Sequence, residues 1–574
     1  MTEESKRLMG RAADPDLWKT VASDPRFERY RREVENLYAN YAQAEIPQLS
    51  YSDFKLFFVT GDRSTYEKKY FARRLAMDSA ALMALIYPEK DEYVARLSEI
   101  IWQICDEYTW CLPAHQKQID RNDNCVIDLF ASETGFALAE TLTLLGDRLD
   151  PLIADRIRAE TDRRIVGPFL ATECYSWWEK ATNNWTAVCE GSVACTFMLM
   201  RPELVPGLIP RFEKAMDSFL SGFSSEGICF EGSGYWCYGF GFFTVYADML
   251  RRFTGGRIDR FADPKCARIA SFHQKLFLSG RTSVSFSDGG RTTVYPIGLM
   301  HFLKKEYPDD VTVYSPDFSY NYDGCGRFCL FLRAASWFDP DIYDESSANR
   351  PEDAEYIFEE AEWYIRKNDV CGFAFKGGCN NEPHNHNDVG CFIFAKNGKQ
   401  CLADVGHGAY TRQYFDNALR YGFAECSSRG HSLPIVDGCL QKFGKEYRTK
   451  SFGASPSRGG RGRVSADIAP AYGIDGLLSL ERSFVTYETG VKLEDRFGFD
   501  SPDAHSVTER FVSLEKPEYK DGKVFAGGAV LSSFTADGKK LEPVFSEEKA
   551  SSGTLYYTDF VLPRGASVFE MTVE

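Results

Sequence analysis

Residues 380–410 read NNEPHNHNDVGCFIFAKNGKQCLADVGHGAY and hold three of the chain's eight histidines. Two apolar runs, CFIFAK and KQCLAD, flank the dipeptide Asn397-Gly398 near the middle of this stretch. Asparagine followed by glycine is the strongest short-range signal for a two-residue hairpin turn, because both residues tolerate a positive φ. The stretch therefore predicts an antiparallel hairpin within a β-rich part of the chain.

The predicted hairpin returns a carboxylate toward two histidines. Counting outward from the turn puts Asp404 opposite Cys391 and carries it back toward His384 and His386. The two histidines are two residues apart, so an extended backbone points them to the same side. Strict alternation would place His386 on the other face from Asp404. A bulge or bend near Gly390 is therefore needed to bring them together, and glycine permits one.

These residue types could bind a transition metal. Neutral imidazole and carboxylate oxygen both suit zinc, and His431 adds a further imidazole 27 positions after Asp404. The spacing is only moderately specific for a metal. The alternative is a polar loop of hydrogen-bonded histidines, and the sequence leaves both interpretations open.

Composition narrows the class of protein. The chain has 574 residues, enough for two or more domains, with 44% hydrophobic and 26% charged residues and a formal charge of −16. This charge argues against nucleic acid or an anionic membrane as a partner, but it leaves room for an acidic substrate in a local basic pocket. No run of 18 apolar residues occurs, so no membrane span is expected.

The N-terminal segment and the cysteines indicate in which cellular compartment the protein is expected. The N-terminal MTEESKRLMGRAADPDLW has no apolar core of signal-peptide length. The 17 cysteines are scattered, often in apolar runs, which is typical of buried, reduced thiols. We therefore expect a cytoplasmic protein without a disulfide framework. A homo-oligomer is left open.

Helical periodicity dominates residues 1–308. Apolar positions recur at three- and four-residue intervals in eight segments. Their short joins favour antiparallel pairs, and so a helical array or toroid. The predicted helices are 66–87, 91–110, 131–145, 151–165, 185–200, 203–220, 235–253 and 266–278.

The pattern changes after residue 308. Residues 309–355 lose helical periodicity and are interpreted as an inter-domain region, and residues 356–574 carry strand signals between turns. Runs of helices followed by runs of strands predict an α+β multidomain chain. We expect an N-terminal helical toroid followed by a C-terminal antiparallel β-sandwich.

Two constellations in the helical half could carry chemistry. Asn183-Asn184-Trp185 precedes a predicted helix, where an asparagine serves either as an ordinary N-cap or as part of an anion site. Tyr235 and Tyr238, in EGSGYWCY, lie on one face near the start of another helix. Core tyrosines are commoner than catalytic ones, so a packing role stays open.

The motifs NNW, EGSGYWCYG, SFSDGG, HNHND, LADVGHGAYT and GHSLPIVDG together resemble the heparinase II/III-like polysaccharide lyases. The resemblance spans most of the chain, with motifs in the same order in both halves. It implies an incomplete α/α toroid followed by an antiparallel β-sandwich. It also implies cleavage of uronate-containing glycans, glycosaminoglycan- or alginate-like, by β-elimination to 4,5-unsaturated uronate ends, without an external cofactor.

The resemblance also implies roles for individual residues. His384 matches a catalytic histidine and Asn184 the residue that binds the substrate carboxylate, while the catalytic tyrosine falls on Tyr235 or Tyr238. Where this chain has Trp185 some members have histidine, so a second base from that helix is in doubt. The metal ligands of some members match residues that would hold a structural zinc here, namely His386, Asp404 and His431. The residues expected to contact substrate are Asn183, Trp185, Glu231 and Trp236.

Two other classes remain open at this stage. Helical toroids also host glycoside hydrolases, which need two positioned carboxylates, and Glu226, Glu231 and Asp288 are available. A catalytically silent glycan-binding protein is favoured if both tyrosines face the core.

Overall fold

The computed structural model describes residues 3–116, 124–292, 294–313, 324–342, 353–458 and 460–574. The chain divides into two compact units that interleave in sequence. The first comprises 1–223, 236–270 and 294–348, and the second comprises 224–235, 271–293 and 349–574. The sequence-based division was instead three consecutive segments, 1–308, 309–355 and 356–574.

The first unit is helical. Its longest helices are buried over much of their surface, because apolar and small residues surround the helix axis instead of forming a single stripe. Its α-helices are Glu3–Leu8, Pro15–Ser23, Glu28–Leu37, Tyr51–Thr60, Ser64–Ile86, Asp91–Cys105, Leu129–Leu145, Pro151–Thr161, Gly167–Leu170, Asn184–Met200, Val205–Ser221, Ser233–Phe253 (from Trp236 onward), Pro264–Ala270, Ile297–Glu306 and Phe328–Ser336.

Capping residues fix where several of these helices begin. Asp128 accepts a hydrogen bond from the backbone N–H of Ala131 at 2.7 Å, and Asn183 accepts one from the N–H of Trp185 at 3.2 Å. Each cap satisfies a backbone donor that the first helical turn leaves without a partner. The two helices that follow, Leu129–Leu145 and Asn184–Met200, pack against one another.

One predicted helix and one region predicted to be non-helical differ from the structure. The predicted helix 266–278 breaks at residue 271, and Phe277–Ser279 instead pairs as a strand with Thr282–Ser283. The interpreted inter-domain region contains the helix Phe328–Ser336, whose nine residues are all buried. A short segment buried on every face shows no helical periodicity, which is why the pattern missed it. Residues 314–323 and 343–352 of that region lie outside the described residues.

The second unit is an antiparallel β structure. Its larger sheets have nine, five and four strands, and every described strand pair is antiparallel. It also contains the short helix Phe272–Lys275. The strands are Phe277–Ser279, Thr282–Ser283, Ala354–Phe358, Trp363–Lys367, Cys371–Lys376, Cys379–Asn380, Phe392–Lys396, Lys399–Leu402, Ile435–Val436, Gly444–Arg448, Ser451–Arg458, Arg461–Asp467, Leu477–Tyr487, Gly490–Phe499, Val507–Ser513, Glu518–Lys520, Lys523–Ala526, Ala529–Ala536, Lys539–Lys540, Val544–Ala550, Gly553–Val561 and Val568–Val573.

One hydrophobic core joins these sheets. Phe392 of the five-stranded sheet packs against Phe484 of the nine-stranded sheet, with ring centroids 4.9 Å apart, and against Phe511 of the four-stranded sheet at 6.2 Å. All three rings are buried in the same apolar cluster. Sheets that bury their inner faces against one another form a sandwich. The predicted fold class, helical followed by antiparallel β, is confirmed.

The hairpin predicted at Asn397-Gly398 is present. Asn397 and Gly398 both have positive φ, at 53° and 76°, and Lys396 pairs with Lys399. The register then shifts within the returning strand, so that Phe394 pairs with Leu402. Because of this shift, counting residues outward from the turn no longer gives the position opposite Asp404. The expected bend at Gly390 is also present, with φ of 86°.

All 17 cysteines are free thiols, as predicted. Among the described residues, every helix is too short or too polar to cross a membrane.

Candidate active site

Asp288 is the centre of a buried polar cluster in the second unit. Its Oδ1 accepts hydrogen bonds from the hydroxyl of Tyr414 at 2.7 Å and from Nη2 of Arg420 at 3.1 Å, and lies 3.0 Å from Nε2 of His386. Its Oδ2 lies 2.6 Å from Nδ1 of His384. Burial opposes ionisation, but the hydrogen bonds from the two histidines outweigh it and hold the pKa of Asp288 well below its usual value. The carboxylate is therefore a fixed negative charge.

Backbone geometry places Asp288 in this position. Ser287 has a positive φ of 60°, so the chain turns sharply just before the aspartate. Gly406, with φ of 68°, lies so close to Gly289 that an added Cβ would come within 2.1 Å of its carbonyl oxygen. Only glycine allows this approach, which brings the loop after Asp404 against the loop that carries Asp288.

His384 is held by Asp288 on one side. It follows Pro383 and has a φ of 55°, an uncommon conformation for a residue other than glycine. Its Nδ1 donates to Asp288, which leaves Nε2 as the nitrogen that can accept a proton. Glu231 Oε1 lies 3.5 Å from this Nε2, and the imidazole is 19% exposed. This geometry suits a general base whose tautomer is fixed by a carboxylate.

Tyr235 lies against this histidine. The two rings stack with centroids 4.0 Å apart, and the Tyr235 hydroxyl is 3.1 Å from that of Tyr410. Burial and the neighbouring Tyr235 raise the pKa of Tyr410 well above its usual value, so Tyr410 stays a phenol near neutrality. Its O–H can donate to Tyr235 and leave the Tyr235 proton for another acceptor.

Tyr238 and Trp236 are both held by contacts within the first unit. The Tyr238 hydroxyl donates to Glu133, and the guanidinium of Arg327 lies over its ring, 3.6 Å from the centroid. Trp236 is fully buried and donates its indole N–H to the carbonyl of Ile269 at 2.8 Å. Trp236, which we expected to contact substrate, is therefore a packing residue in this structure.

Asn184 is the first residue of its helix in the first unit. Its side chain is buried. Gly239 packs so closely against it that a Cβ at position 239 would lie 3.2 Å from the Cα of Asn184. Asn183 makes the N-cap, so the capping role and the predicted catalytic role belong to different asparagines. The ring of Trp185 is 4.8 Å from that of His115. The roles that the resemblance gives Asn183, Asn184 and Trp185 stay predictions.

The three predicted metal ligands are all fully buried in the second unit. Asp404 Oδ2 lies 3.2 Å from Nδ1 of His431, and the rings of His386 and His431 are 5.6 Å apart. Asp404 Oδ2 and His386 Nδ1 make no hydrogen bond. Buried nitrogen and oxygen atoms without hydrogen bonds are what a metal ion would satisfy, so these residues fit zinc.

Four members of the site were not predicted from the sequence: Asp288 as its centre, and Tyr410, Tyr414 and Arg420. Asp288 was considered only as a hydrolase carboxylate. The signal available for it was the SDGG turn, where glycines follow an acidic residue. The other three lie in or shortly after the stretch 380–410, but no local pattern distinguishes them.

The helical and antiparallel β parts together form the fold of polysaccharide lyases built from a toroid and a β domain. Heparan sulfate lyase HepC from Pedobacter heparinus matches with a TM-score of 0.58 and 12% identity over 95% of this chain and 86% of that chain. Heparinase III matches at 0.60 and 14% over 100% and 85%. Chondroitin AC lyase from Streptomyces coelicolor A3 matches at 0.52 and 11% over 97% and 82%.

The predicted resemblance is thus confirmed as a likeness of fold. No family model and no curated protein sequence matches the chain. At these identities the likeness defines the architecture, and the activity has to be argued from the site.

Proposed function

We propose that the protein is a lyase that cleaves an acidic, uronate-containing glycan by β-elimination. The observation that carries the proposal is the line Asp288–His384–Tyr235, in which a buried carboxylate orients an imidazole that stacks on a tyrosine. The solved structures that share the fold include a heparan sulfate lyase and a chondroitin AC lyase, which supports an acidic polysaccharide as substrate.

His384 acts as the base in this proposal. Removal of the C5 proton of a uronate creates a carbanion whose charge spreads into the adjacent carboxylate. Asp288 accepts the Nδ1 proton and so keeps the Nε2 lone pair available. When Nε2 takes the proton, the imidazolium lies between the charges of Asp288 and Glu231, which stabilise it. Glu231 therefore supports the base, beside its predicted contact with substrate.

Tyr235 acts as the acid. The elimination breaks the bond from C4 to the bridging oxygen, and the departing oxygen needs a proton. A hydrogen bond donated by Tyr410 stabilises the phenolate that Tyr235 becomes when it gives up this proton. The base and the acid both belong to the second unit.

Asn184 is proposed to bind the uronate carboxylate. An amide donor at a helix N-terminus suits an anion, and it stabilises the enediolate that develops in the transition state more than it stabilises the ground state. This role rests on the resemblance and is tested by substitution.

Zinc is proposed as a structural ion held by His386, Asp404 and His431. Bound there, it would hold three segments of the second unit together and would take no part in cleaving the glycosidic bond. Asp288 contacts both His386 and His384, so the same carboxylate would position a metal ligand and the base.

The three carboxylates considered for a hydrolase do not form a catalytic pair. Asp288 is fully buried and already accepts from four side chains. Glu226 accepts from the backbone N–H groups of Glu359 and Glu360. Of the three carboxylates considered, Glu231 alone lies beside Nε2 of His384, the nitrogen proposed to take the proton, and a glycosidase needs a pair.

The experiment is a panel of glycosaminoglycans and alginate, with ultraviolet absorbance as the readout for the conjugated product. We expect absorbance to rise with one of them and His384→Gln to abolish the rise. His505→Gln is the matched control, because His505 is bonded to Asp437 away from the cluster. Saturated cleavage products would replace the lyase proposal with a hydrolase. Bound glycan that is never cleaved would favour the silent binding protein.

A further inference from the structure

Cys391 belongs to a buried cluster with two of the predicted metal ligands. One donor atom each from Cys391, Asp404 and His431 lies within 4.8 Å of the others, and all three side chains are fully buried. The Cys391 Sγ is 3.8 Å from Nδ1 of His431. The zinc site expected from the resemblance had three protein ligands, and a thiol at this distance offers a further one.

The polar atoms of this cluster are arranged so that one donor on each residue is left for an ion. Nε2 of His431 donates to the carbonyl of Glu425 at 3.0 Å, which leaves Nδ1 facing Asp404 and Cys391. Oδ1 of Asp404 accepts from the N–H of Gly406 at 2.9 Å, which leaves Oδ2 without a hydrogen bond. Metal-binding histidines are characteristically oriented through their second nitrogen in this way.

His386 shows the same arrangement. Its Nε2 is tied to Asp288, and its Nδ1 is buried without a hydrogen bond. The second nitrogen is thus fixed by a carboxylate while the first is available. Asp404 Oδ2, His431 Nδ1 and Cys391 Sγ therefore face one another, and the ring of His386 lies 5.6 Å from that of His431. Leaving these buried atoms without an ion would cost folding free energy at each of them.

We propose that Cys391 is a thiolate ligand of the metal, so that the site is a closed set of Cys391, Asp404, His431 and His386. Four protein ligands of sulfur, nitrogen and oxygen type match the coordination of structural zinc, which keeps no open position. Sulfur and imidazole also exclude magnesium and calcium as the natural ion, because those ions prefer oxygen ligands. The inference does not depend on the lyase activity.

Cobalt substitution tests the thiolate directly. Metal-free protein is titrated with Co²⁺, which takes zinc sites and absorbs in the near ultraviolet when a thiolate binds it. We expect about one Co²⁺ per chain with a thiolate-to-cobalt charge-transfer band. Cys391→Ser should lose the band and bind metal at least about 100-fold more weakly, since even residues that only support a ligand change affinity 10–100-fold.

Two other cysteine variants make the assignment specific. Cys401→Ser is the matched control, because Cys401 is equally buried but its Sγ donates to the carbonyl of Lys399, and it should keep the band. Cys426 is a thiol close to His386. Loss of the band in Cys426→Ser with retention in Cys391→Ser would overturn the assignment. Wild-type protein that binds cobalt without a charge-transfer band would refute it even if Cys391→Ser does not fold.

Discussion

Replacing Asp288 with asparagine tests the core of the proposed mechanism. The side chain keeps its size, but its negative charge disappears and one oxygen becomes an NH₂ group that cannot accept. If that NH₂ faces His384, it donates to Nδ1 and forces the proton onto Nε2. The nitrogen proposed to take the C5 proton is then already protonated.

The structure sets the size of both expected effects. Loss of general-base catalysis should lower kcat roughly 10²–10⁴-fold. Stability should also fall, because Arg420 and two histidines lose a buried carboxylate to which they are bonded at 2.6–3.1 Å. Removing one partner of a buried ion pair costs about 3–5 kcal/mol. Turnover must therefore be measured on the folded fraction and at a temperature well below unfolding.

Tyr414→Phe is the matched control. It deletes the 2.7 Å hydrogen bond to Asp288 Oδ1 and leaves Oδ2 and His384 in place. We expect it to lower the free energy of unfolding by about 1–3 kcal/mol and to change kcat little. Metal content is measured on both variants, because Asp288 also contacts His386. If folded, metal-loaded Asp288→Asn turns over substrate at the wild-type rate, the proposed base is wrong.

Three further predictions follow from individual side chains. Tyr235→Phe should lower turnover roughly 10²–10⁴-fold and barely change the melting temperature. Tyr238→Phe should keep its activity but lose about 1–3 kcal/mol of stability, because it loses the hydrogen bond to Glu133. The opposite pattern would assign the acid to Tyr238. Asn184→Ala should cost about 3 kcal/mol of transition-state stabilisation in kcat/KM, and unchanged kinetics would remove it from the site. Burial lowers the pKa of His301 to about 4, below its unfolded value, so its contribution to stability is present above about pH 6.5 and is lost as pH falls toward 4. Denaturant unfolding between pH 7 and pH 5 should show about 2 kcal/mol of this loss in the wild type but not in His301→Asn, and equal pH dependence of the two proteins would contradict it.

Much of the architecture was predictable because it depends on neighbours in the sequence. The hairpin at Asn397-Gly398 follows from two residues that tolerate positive φ between two apolar runs. The start of the helix Asn184–Met200 follows from an asparagine that caps it. Helical and strand periods likewise separated the helical part of the chain from the β part.

The identity of the site needed the tertiary structure. The sequence placed Tyr235 and Tyr238 on one helical face, but only the structure stacks one on His384 and buries the other beside Glu133 and Arg327. A single helical turn separates the two tyrosines. Their surroundings come from segments far away in the chain, and periodicity carries no information about them.

Asp288 makes the same point most clearly. It lies 96 positions before His384, and the segment that carries it also approaches Gly406 closely at Gly289. The sequence determined the turns, the caps, the secondary-structure class and the histidine-rich stretch, since each depends on residues a few positions apart. Which carboxylate orients the base, and which thiol joins the buried histidines, was decided by long-range packing.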